Sequence, residues 1–155
     1  MGTWGGDAPS SPDSAGAPAP RPSGGGIDLI RVGVDAVVVD HVRESIENFG
    51  ERYLDRVFTR HEQESCRGSE DVRARGLAAR FAAKEATIKI LRPQDRSVPW
   101  RAVEVQSHPG GWCDLALSGE AARLAGAADI RGFSMSFTHE GQLAVAVVAA
   151  WRGTS

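Results

Sequence analysis

A short run near the middle of the chain, residues 80–89, carries most of its chemically useful side chains. The run reads Arg-Phe-Ala-Ala-Lys-Glu-Ala-Thr-Ile-Lys and is rich in helix-forming residues, with neither glycine nor proline inside it. On a helix, Lys84 falls inside the apolar stripe, whereas Glu85 and Lys89 lie one turn apart beside it. A cation in an apolar stripe is costly unless an anion meets it. The run therefore predicts one wall of an anion site with a carboxylate beside it.

A second carboxylate lies at the end of a predicted buried strand. Asp35 follows Gly33 and Val34 directly, and aspartate is depleted in strands. If folding brought Asp35 close to Glu85, the two charges would repel, and Mg²⁺, which binds one or two carboxylates plus substrate phosphates, would relieve that repulsion. The alternative is that Asp35 caps the next segment and Glu85 is solvated. The residues alone leave both open.

Several cations cluster on the same predicted helix. Arg80, Lys84 and Lys89 lie within three turns, and Arg73 and Arg75 lie just before them. The guanidinium group of arginine and the ammonium group of lysine both bind phosphate, so the helix is a candidate phosphate-binding surface. The alternative is an ordinary solvated basic face, which the apolar surroundings predicted for Lys84 make less attractive.

A third candidate segment is a predicted strand over residues 134–140. Its small hydroxyl residues, which include Thr138, alternate with Met135 and Phe137 and share one face, and His139 lies where the strand turns. Hydroxyls and an imidazole at a sheet edge can bind phosphate or orient a nucleophile, and a turn without a role is the alternative. The sequence has no HExxH zinc motif, GxSxG elbow, P-loop or GxGxxG fingerprint.

Composition narrows the class of partner. The chain has 155 residues, which predicts one domain with a real core. Its net charge of −2 offers no overall attraction for nucleic acid, and no apolar run approaches the roughly 20 residues of a membrane span. Cys66 and Cys113 match no metal spacing and indicate free thiols in a reducing compartment. We therefore expect a cytoplasmic protein whose clustered cations bind a small polyanion.

Element patterns predict the domain organisation. Residues 1–26, rich in Gly, Pro, Ser and Ala, are expected to be a disordered tail, and residues 27–155 to form the folded domain. The folded part predicts a strand around 30–39, helices over 41–49 and 70–91, a hairpin around 109–111, and a hairpin of 133–137 with 143–150. Thr59 and Glu62 have the capping-box spacing, which predicts a further helix from 60, and Ser118 is the expected cap of a helix over 119–125. Pro93 is expected to end the helix over 70–91. This order predicts an α+β domain with helices packed on a mostly antiparallel sheet.

Three segments in this order resemble the signatures of 4′-phosphopantetheinyl transferases. Residues 32–35, Val-Gly-Val-Asp, resemble the first signature, and residues 80–89 fit the second, Phe-x-x-Lys-Glu-Ala-x-x-Lys. Residues 134–140 are similar to the Ser-x-Ser-His segment of the small holo-acyl-carrier-protein synthase branch. The resemblance covers roughly residues 30–151 and implies the α+β fold of that family.

The resemblance also implies an activity and a set of roles. Members of the family transfer the 4′-phosphopantetheine group of coenzyme A to a serine of an apo acyl or peptidyl carrier protein, release adenosine 3′,5′-bisphosphate and use Mg²⁺. By motif position, Asp35 and Glu85 would bind the metal, and Lys89 would lie near the phosphates and stabilise the leaving group. The other nucleotide contacts implied are Arg80, Lys84, Thr138 and His139. The serine proton would go to Glu85 or to a metal-bound water, and both remain open.

The single copy of each motif matches the small type, whose trimers have active sites between subunits. We therefore expect a ligand or a neighbouring subunit to cover Lys84, and Arg43 to be available to an acidic carrier of fatty-acid, polyketide or peptide synthesis. The alternative function is a non-catalytic relative that binds coenzyme A or a nucleotide and keeps the fold. Such a binding module would not need both Asp35 and Glu85.

Overall fold

The computed structural model describes residues 27–153, in which the predicted strands and helices follow one another in the predicted order, with one further helix among them. The elements are β1 Ile27–Val38, α1 Val39–Phe49, α2 Glu51–Val57, α3 Arg60–Ser65, α4 Glu70–Leu91, a 3₁₀ turn Trp100–Ala102, β2 Val103–Ser107, β3 Cys113–Leu117, α5 Gly119–Ala127, β4 Gly132–Glu140 and β5 Leu143–Gly153. The predicted α+β class is confirmed, whereas the predicted tail, residues 1–26, lies outside the described residues.

The main sheet positions the chemistry by its strand order. It is antiparallel with the order β1-β5-β4, and β2 and β3 pair separately as a hairpin. Asp35 pairs with Ala146, which pairs with Phe137 on the far strand. Paired residues in a sheet share a face, so these three side chains point the same way. The strands β1 and β4 are therefore opposite edges of one sheet.

Helix α4 packs against one face of this sheet at very short range. A Cβ atom on Gly33 would lie 2.1 Å from the carbonyl oxygen of Ala86, so only glycine fits at this position. Half of the buried residues of this helix are alanine, which also permits close packing. Asp35, two residues beyond Gly33 on the same face, is therefore held close to α4.

The bounds of α4 follow from its ends. Ser69 caps the N-terminus by accepting a hydrogen bond from the Val72 backbone N–H, and acidic residues occupy the first turn. At the other end Arg92 adopts φ 50° and Pro93 cannot continue the helix. The predicted helix over residues 70–91 is confirmed, as are both predicted hairpins.

Helix α2 was not predicted from the sequence. Its seven residues are too few to show a clear period, and Gly50, with φ 54°, separates it from α1. Two smaller differences are that α1 begins two residues before the predicted position 41 and that the side chain of Ser118 makes no cap hydrogen bond to α5.

The face of the main sheet opposite α4 is apolar and exposed. Its valine and leucine side chains are between 36% and 60% exposed; they are Val32, Val34, Val38, Leu143 and Val147. By register, Thr138 lies on this same face, because it pairs with Val145 and, through it, with Ala36. An apolar sheet face of this size indicates a contact surface.

Two expectations about the chain as a whole can be compared with residues 27–153. Among these residues no helix combines the length and apolarity needed to span a membrane. Cys66 and Cys113 are free thiols, as expected, and Cys66 is buried. Burial raises the pKa of the Cys66 thiol to about 11, so it is a poor nucleophile.

Candidate functional site

The corner between β1 and α4 brings two of the predicted residues into direct contact. The Nζ of Lys89 donates hydrogen bonds to Asp35 Oδ1 at 2.7 Å and to the carbonyl oxygen of Val34 at 2.9 Å. Lys89 is 55% exposed and Asp35 is 18% exposed, so the pair lies at the protein surface. This ion pair joins the first and second signature segments across 54 positions of sequence.

Glu85 completes this corner one helical turn before Lys89. Burial raises the pKa of Glu85, the negative charge of Asp35 raises it further, and Lys89 partly lowers it. The repulsion predicted between the two carboxylates is therefore present, and a single ammonium group only partly relieves it. The acidic pair and Lys89 form the candidate site.

The donor set at this corner fits a divalent magnesium ion. Asp35 and Glu85 offer hard carboxylate oxygens. Residues 27–153 contain no group of three or more His, Cys, Asp and Glu side chains that could together hold a metal ion. A metal ion here must therefore fill its other positions with water and phosphate oxygens. Mg²⁺ is bound in proteins in this way, usually by one or two carboxylates plus a substrate phosphate.

Lys84 is paired inside its own chain, which corrects the expectation that a ligand or neighbouring subunit covers it. Its Nζ lies 2.8 Å from Glu62 Oε2, and it donates to the carbonyl oxygens of Trp100, at 3.1 Å, and Val103. Both charged side chains are 0% exposed. Burial lowers the pKa of Lys84, and the carboxylate of Glu62 opposes that shift. Lys84 therefore cannot reach a bound nucleotide.

The partner carboxylate is held by the backbone as well. Glu62 accepts a hydrogen bond from the Val105 N–H at 2.9 Å and one from the Thr59 N–H at 2.8 Å. The second bond belongs to the capping box predicted at Thr59. The same carboxylate therefore caps α3, anchors β2 and neutralises Lys84 of α4. The sequence predicts the cap, but it does not predict that Glu62 is buried against Lys84.

Arg80 lies on the other side of α4, toward β4. Its guanidinium donates to the Gly76 carbonyl at 3.0 Å and to Ser107 Oγ at 2.7 Å, and its central carbon lies 5.9 Å from the centre of the Phe137 ring. Arg80 is only 7% exposed, and its Nε has no hydrogen-bond partner among the described residues. Its surroundings are those of the β4 edge and not of the acidic pair.

His139 and Thr138 also lie on β4, away from the acidic pair. His139 pairs with Ala144 and, through it, with Val37, so it shares the face of Asp35 but is two strand spacings, about 10 Å, across the sheet. Thr138 is on the opposite, exposed face. The structure thus brings Asp35, Glu85 and Lys89 together at the β1 edge and leaves Arg80, Thr138 and His139 at the β4 edge.

The basic residues near the start of α4 are largely neutralised by carboxylates. Arg43 pairs with Asp40 and, at 2.9 Å, with Asp71, and Arg75 contacts the same Asp71 side chain at 2.9 Å. Two aspartates thus engage Arg43, so an acidic partner would have to compete with them for its guanidinium, and its availability to a carrier stays a prediction.

A groove that sequence analysis missed lies beside the acidic pair. It has a volume of about 450 Å³, and its lining is aromatic and basic: Phe49, Arg52, Tyr53, Arg56, Val57, Phe81 and Trp100. Phe81 is one helical turn before Glu85, so this lining residue is a neighbour of the candidate site on α4. Four of the lining residues belong to α2, the helix that was not predicted from the sequence.

Comparison with known proteins shows the family of this chain. Residues 31–148 match the sequence model of the 4′-phosphopantetheinyl transferase superfamily. The chain belongs to this superfamily. It is similar to the holo-[acyl-carrier-protein] synthase of Desulforudis audaxviator, with 41% identity over 122 residues that cover 79% of this chain and 92% of that protein. The synthase of Chloroflexus aurantiacus is 39% identical, covering 78% of this chain and 97% of that protein.

Solved structures show the same fold. The acyl carrier protein synthase of Mycobacterium tuberculosis superimposes with a TM-score of 0.62 at 32% identity, covering 79% of this chain and 97% of that one. The ACPS–CoA complex from Chronobacterium ammoniagenes gives a TM-score of 0.68 at 30% identity, covering 80% and 97%. The fold implied by the resemblance is therefore confirmed.

Removing the charge of Lys84 should destabilise the protein strongly. Lys84→Met leaves Glu62 buried without its cation, which typically costs about 3–5 kcal/mol. Arg60→Met is the matched control, because Arg60 pairs with Glu64 on the surface and is 90% exposed. Urea unfolding followed by tryptophan fluorescence should show a much lower midpoint for Lys84→Met alone. Equal midpoints for the two variants would contradict the buried pair.

Glu85→Gln should stabilise the protein at neutral pH in the absence of divalent metal. The folded-state pKa of Glu85 is raised, so its ionised form opposes folding, and the amide removes that penalty. The advantage of the variant should vanish as the pH falls below about 4, where the wild-type carboxyl is also neutral. Urea midpoints at pH 7 and below pH 4 measure this, with Glu47→Gln, an exposed carboxylate, as control. A variant less stable than wild type at pH 7 would refute the repulsion.

Proposed function

We propose that this chain is a holo-[acyl-carrier-protein] synthase, which transfers 4′-phosphopantetheine from coenzyme A to a serine of an apo carrier protein. The observation that carries this proposal is the convergence of Asp35, Glu85 and Lys89 at one corner, from two separate signature segments. A relative that only bound a nucleotide would gain nothing from two repelling carboxylates. The Chronobacterium ammoniagenes ACPS–CoA complex supports coenzyme A as the substrate.

Asp35 and Glu85 would hold the cofactor of the proposed reaction, Mg²⁺. A bound Mg²⁺ would supply positive charge to the pyrophosphate of coenzyme A and limit its freedom to rotate. The observation that supports it is the residual repulsion at the acidic pair, because Asp35 raises the pKa of Glu85 despite Lys89. A pair of carboxylates without a further cation would oppose the approach of a pyrophosphate.

Lys89 and Glu85 have different roles in the proposed transfer. The serine oxygen forms a bond to the phosphorus that bears pantetheine, while that phosphorus releases the bridging oxygen to adenosine 3′,5′-bisphosphate. Lys89 Nζ, which is more than half exposed, stabilises the negative charge of the departing bisphosphate. Glu85, one helical turn before Lys89 at the same corner, is the candidate acceptor of the serine proton.

The carrier protein docks in the groove between α2 and Phe81. Arg52 and Arg56 are exposed and suit an acidic surface, and the aromatic lining suits apolar side chains of the same partner. The groove opens one helical turn from Glu85, so a docked carrier can present its serine to the acidic pair. The carriers of fatty-acid, polyketide and peptide synthesis are the candidate partners.

The complete site forms between copies of the chain in a trimer. One chain places its acidic pair at the β1 edge and Arg80 and His139 at the β4 edge, so neither edge holds the full set. A head-to-tail contact joins two different surfaces and closes into a ring. The exposed apolar face of the sheet supplies the buried surface that such a ring needs.

The proposed transfer can be tested by measuring the mass of the carrier protein. Incubation with coenzyme A, Mg²⁺ and a panel of apo carriers should add one phosphopantetheine to at least one carrier, detected by intact mass spectrometry. Glu85→Gln should slow the transfer by about 100-fold or more, because charge stabilisation at the phosphates is lost. Glu64→Gln, an exposed carboxylate on α3, is the control and should retain full activity. A panel in which no carrier gains mass would overturn the proposed function.

The docking groove makes a separate prediction. Arg56→Glu should raise the KM for the carrier roughly tenfold, equivalent to about 1.4 kcal/mol, since it opposes an acidic partner. The kcat and the KM for coenzyme A should stay unchanged. Arg131→Glu, beyond α5 and far from the groove, is the charge-matched control. A carrier KM that responds equally to both variants would place docking elsewhere.

A further inference from the structure

Helix α4 ends on a residue whose backbone conformation is unusual for its type. Arg92 has φ 50° and ψ 64°, and its N–H donates to the Ile88 carbonyl at 3.1 Å. A residue with a Cβ atom disfavours this left-handed region, which glycine occupies readily at the ends of helices. Pro93 follows directly, and a residue before proline is restricted further, toward extended conformations. The backbone of Arg92 is therefore strained for two separate reasons.

Contacts on both sides of the strained residue hold this conformation. Before it, Arg31 of β1 donates from Nη1 to the Ile90 carbonyl at 2.7 Å and so joins the last turn of α4 to β1. After it, the Arg96 N–H donates to the Pro93 carbonyl at 3.0 Å, and the Arg96 guanidinium lies 3.5 Å from Glu120 of α5. A strained residue persists only where its surroundings hold it, and such residues are concentrated at functional sites.

The side chain of Arg92 is exposed and makes no ion pair or side-chain hydrogen bond with residues 27–153. The ion pairs beside it join Lys89 to Asp35 and Arg96 to Glu120. A cation at the C-terminus of a helix is favourable, but Lys89 already supplies one in the last turn. Stabilisation of the helix end therefore does not account for a strained, unpaired arginine at this position.

Arg92 continues the row of charged side chains that forms the candidate site. Glu85, Lys89 and Arg92 have the spacing i, i+4, i+7, so their Cα atoms lie within about 60° of one another around α4. The Cα of Arg92 lies about 4.5 Å beyond that of Lys89 along the helix axis. Phe81 and the groove lie at the other end of the row. Arg92 therefore adds an unpaired cation to the side of the acidic pair that faces away from the groove.

We propose that Arg92 is a further phosphate-binding residue of the candidate site, and that its guanidinium binds the pyrophosphate of coenzyme A beside Lys89. The proposal rests on the proposed function, because it adds a contact to the same substrate. A guanidinium donates two parallel hydrogen bonds to phosphate oxygens, whereas the ammonium of Lys89 is a point charge that Asp35 already engages. The strained backbone keeps the attachment point of the guanidinium at a fixed distance from Lys89, which lowers the entropic cost of binding.

The test measures binding of coenzyme A with Mg²⁺ by isothermal titration calorimetry, without a carrier. Arg92→Gly should weaken binding about tenfold or more, because charge-assisted hydrogen bonds are lost. Glycine fits the left-handed conformation, so the urea midpoint of this variant should equal or exceed that of wild type. Gln94→Gly is the matched control: Gln94 has φ 54° in the same loop, so glycine there relieves strain without removing a charge. Its affinity for coenzyme A should equal that of wild type.

Two smaller ligands locate the contact. Inorganic pyrophosphate with Mg²⁺ should bind Arg92→Gly more weakly than wild type, whereas adenosine 3′-monophosphate, which lacks the pyrophosphate, should bind both equally. Arg92→Lys should recover part of the affinity for coenzyme A, because it keeps the charge but not the two parallel donors.

Unchanged affinity for coenzyme A in Arg92→Gly would overturn the proposal. An equal loss in Gln94→Gly would also overturn it, because the loop conformation and not the guanidinium would then matter. The same holds for an equal loss of affinity for adenosine 3′-monophosphate, and for a lower urea midpoint or a loss of assembly in light scattering that accompanies the loss of affinity. Coenzyme A binding that depends on Arg92 without modification of any carrier would refute the proposed transfer but not the arginine contact.

Discussion

The buried ion pair between Lys84 and Glu62 is the interaction on which the geometry of this protein depends. Lys84 directly precedes Glu85, and successive residues of a helix are about 100° apart, so anchoring one side chain sets the direction of the next. Glu62 ties that anchor to α3 and β2 through backbone hydrogen bonds. On the opposite side, the contact of Gly33 with Ala86 sets the distance to β1. Burying two charges is costly, and these bonds offset that cost.

This arrangement explains why a small chain would divide its site between two surfaces. With the strand order β1-β5-β4, the acidic pair at one edge is separated from Arg80 and His139 at the other by the width of the sheet. Coenzyme A is long, with a reactive pyrophosphate at its middle and a base at one end. A ring of copies would place the β1 edge of one chain beside the β4 edge of the next, and the exposed apolar face would be buried in the same contact.

Local patterns in the sequence predicted elements better than they predicted partners. Pro93 predicted the end of α4, and the spacing of Thr59 and Glu62 predicted a capping box at the start of α3. The partner of Lys84 could not be inferred in this way. Glu62, the carboxylate that pairs with it, is 22 positions away in the sequence, and only tertiary packing buries the two side chains together. The separation of Arg80 from Glu85 likewise follows from strand order, which the chain order alone does not reveal.

The proposed division of the site between copies can be tested most directly by mixing two impaired variants. Glu85→Gln lacks the β1-edge half and His139→Ala lacks the β4-edge half, so each alone should be slow at coenzyme A concentrations below KM. After unfolding and refolding together in equal amounts, random assortment in a ring should restore about a quarter of the wild-type activity. A mixture no more active than the average of its two components would contradict a site shared between chains.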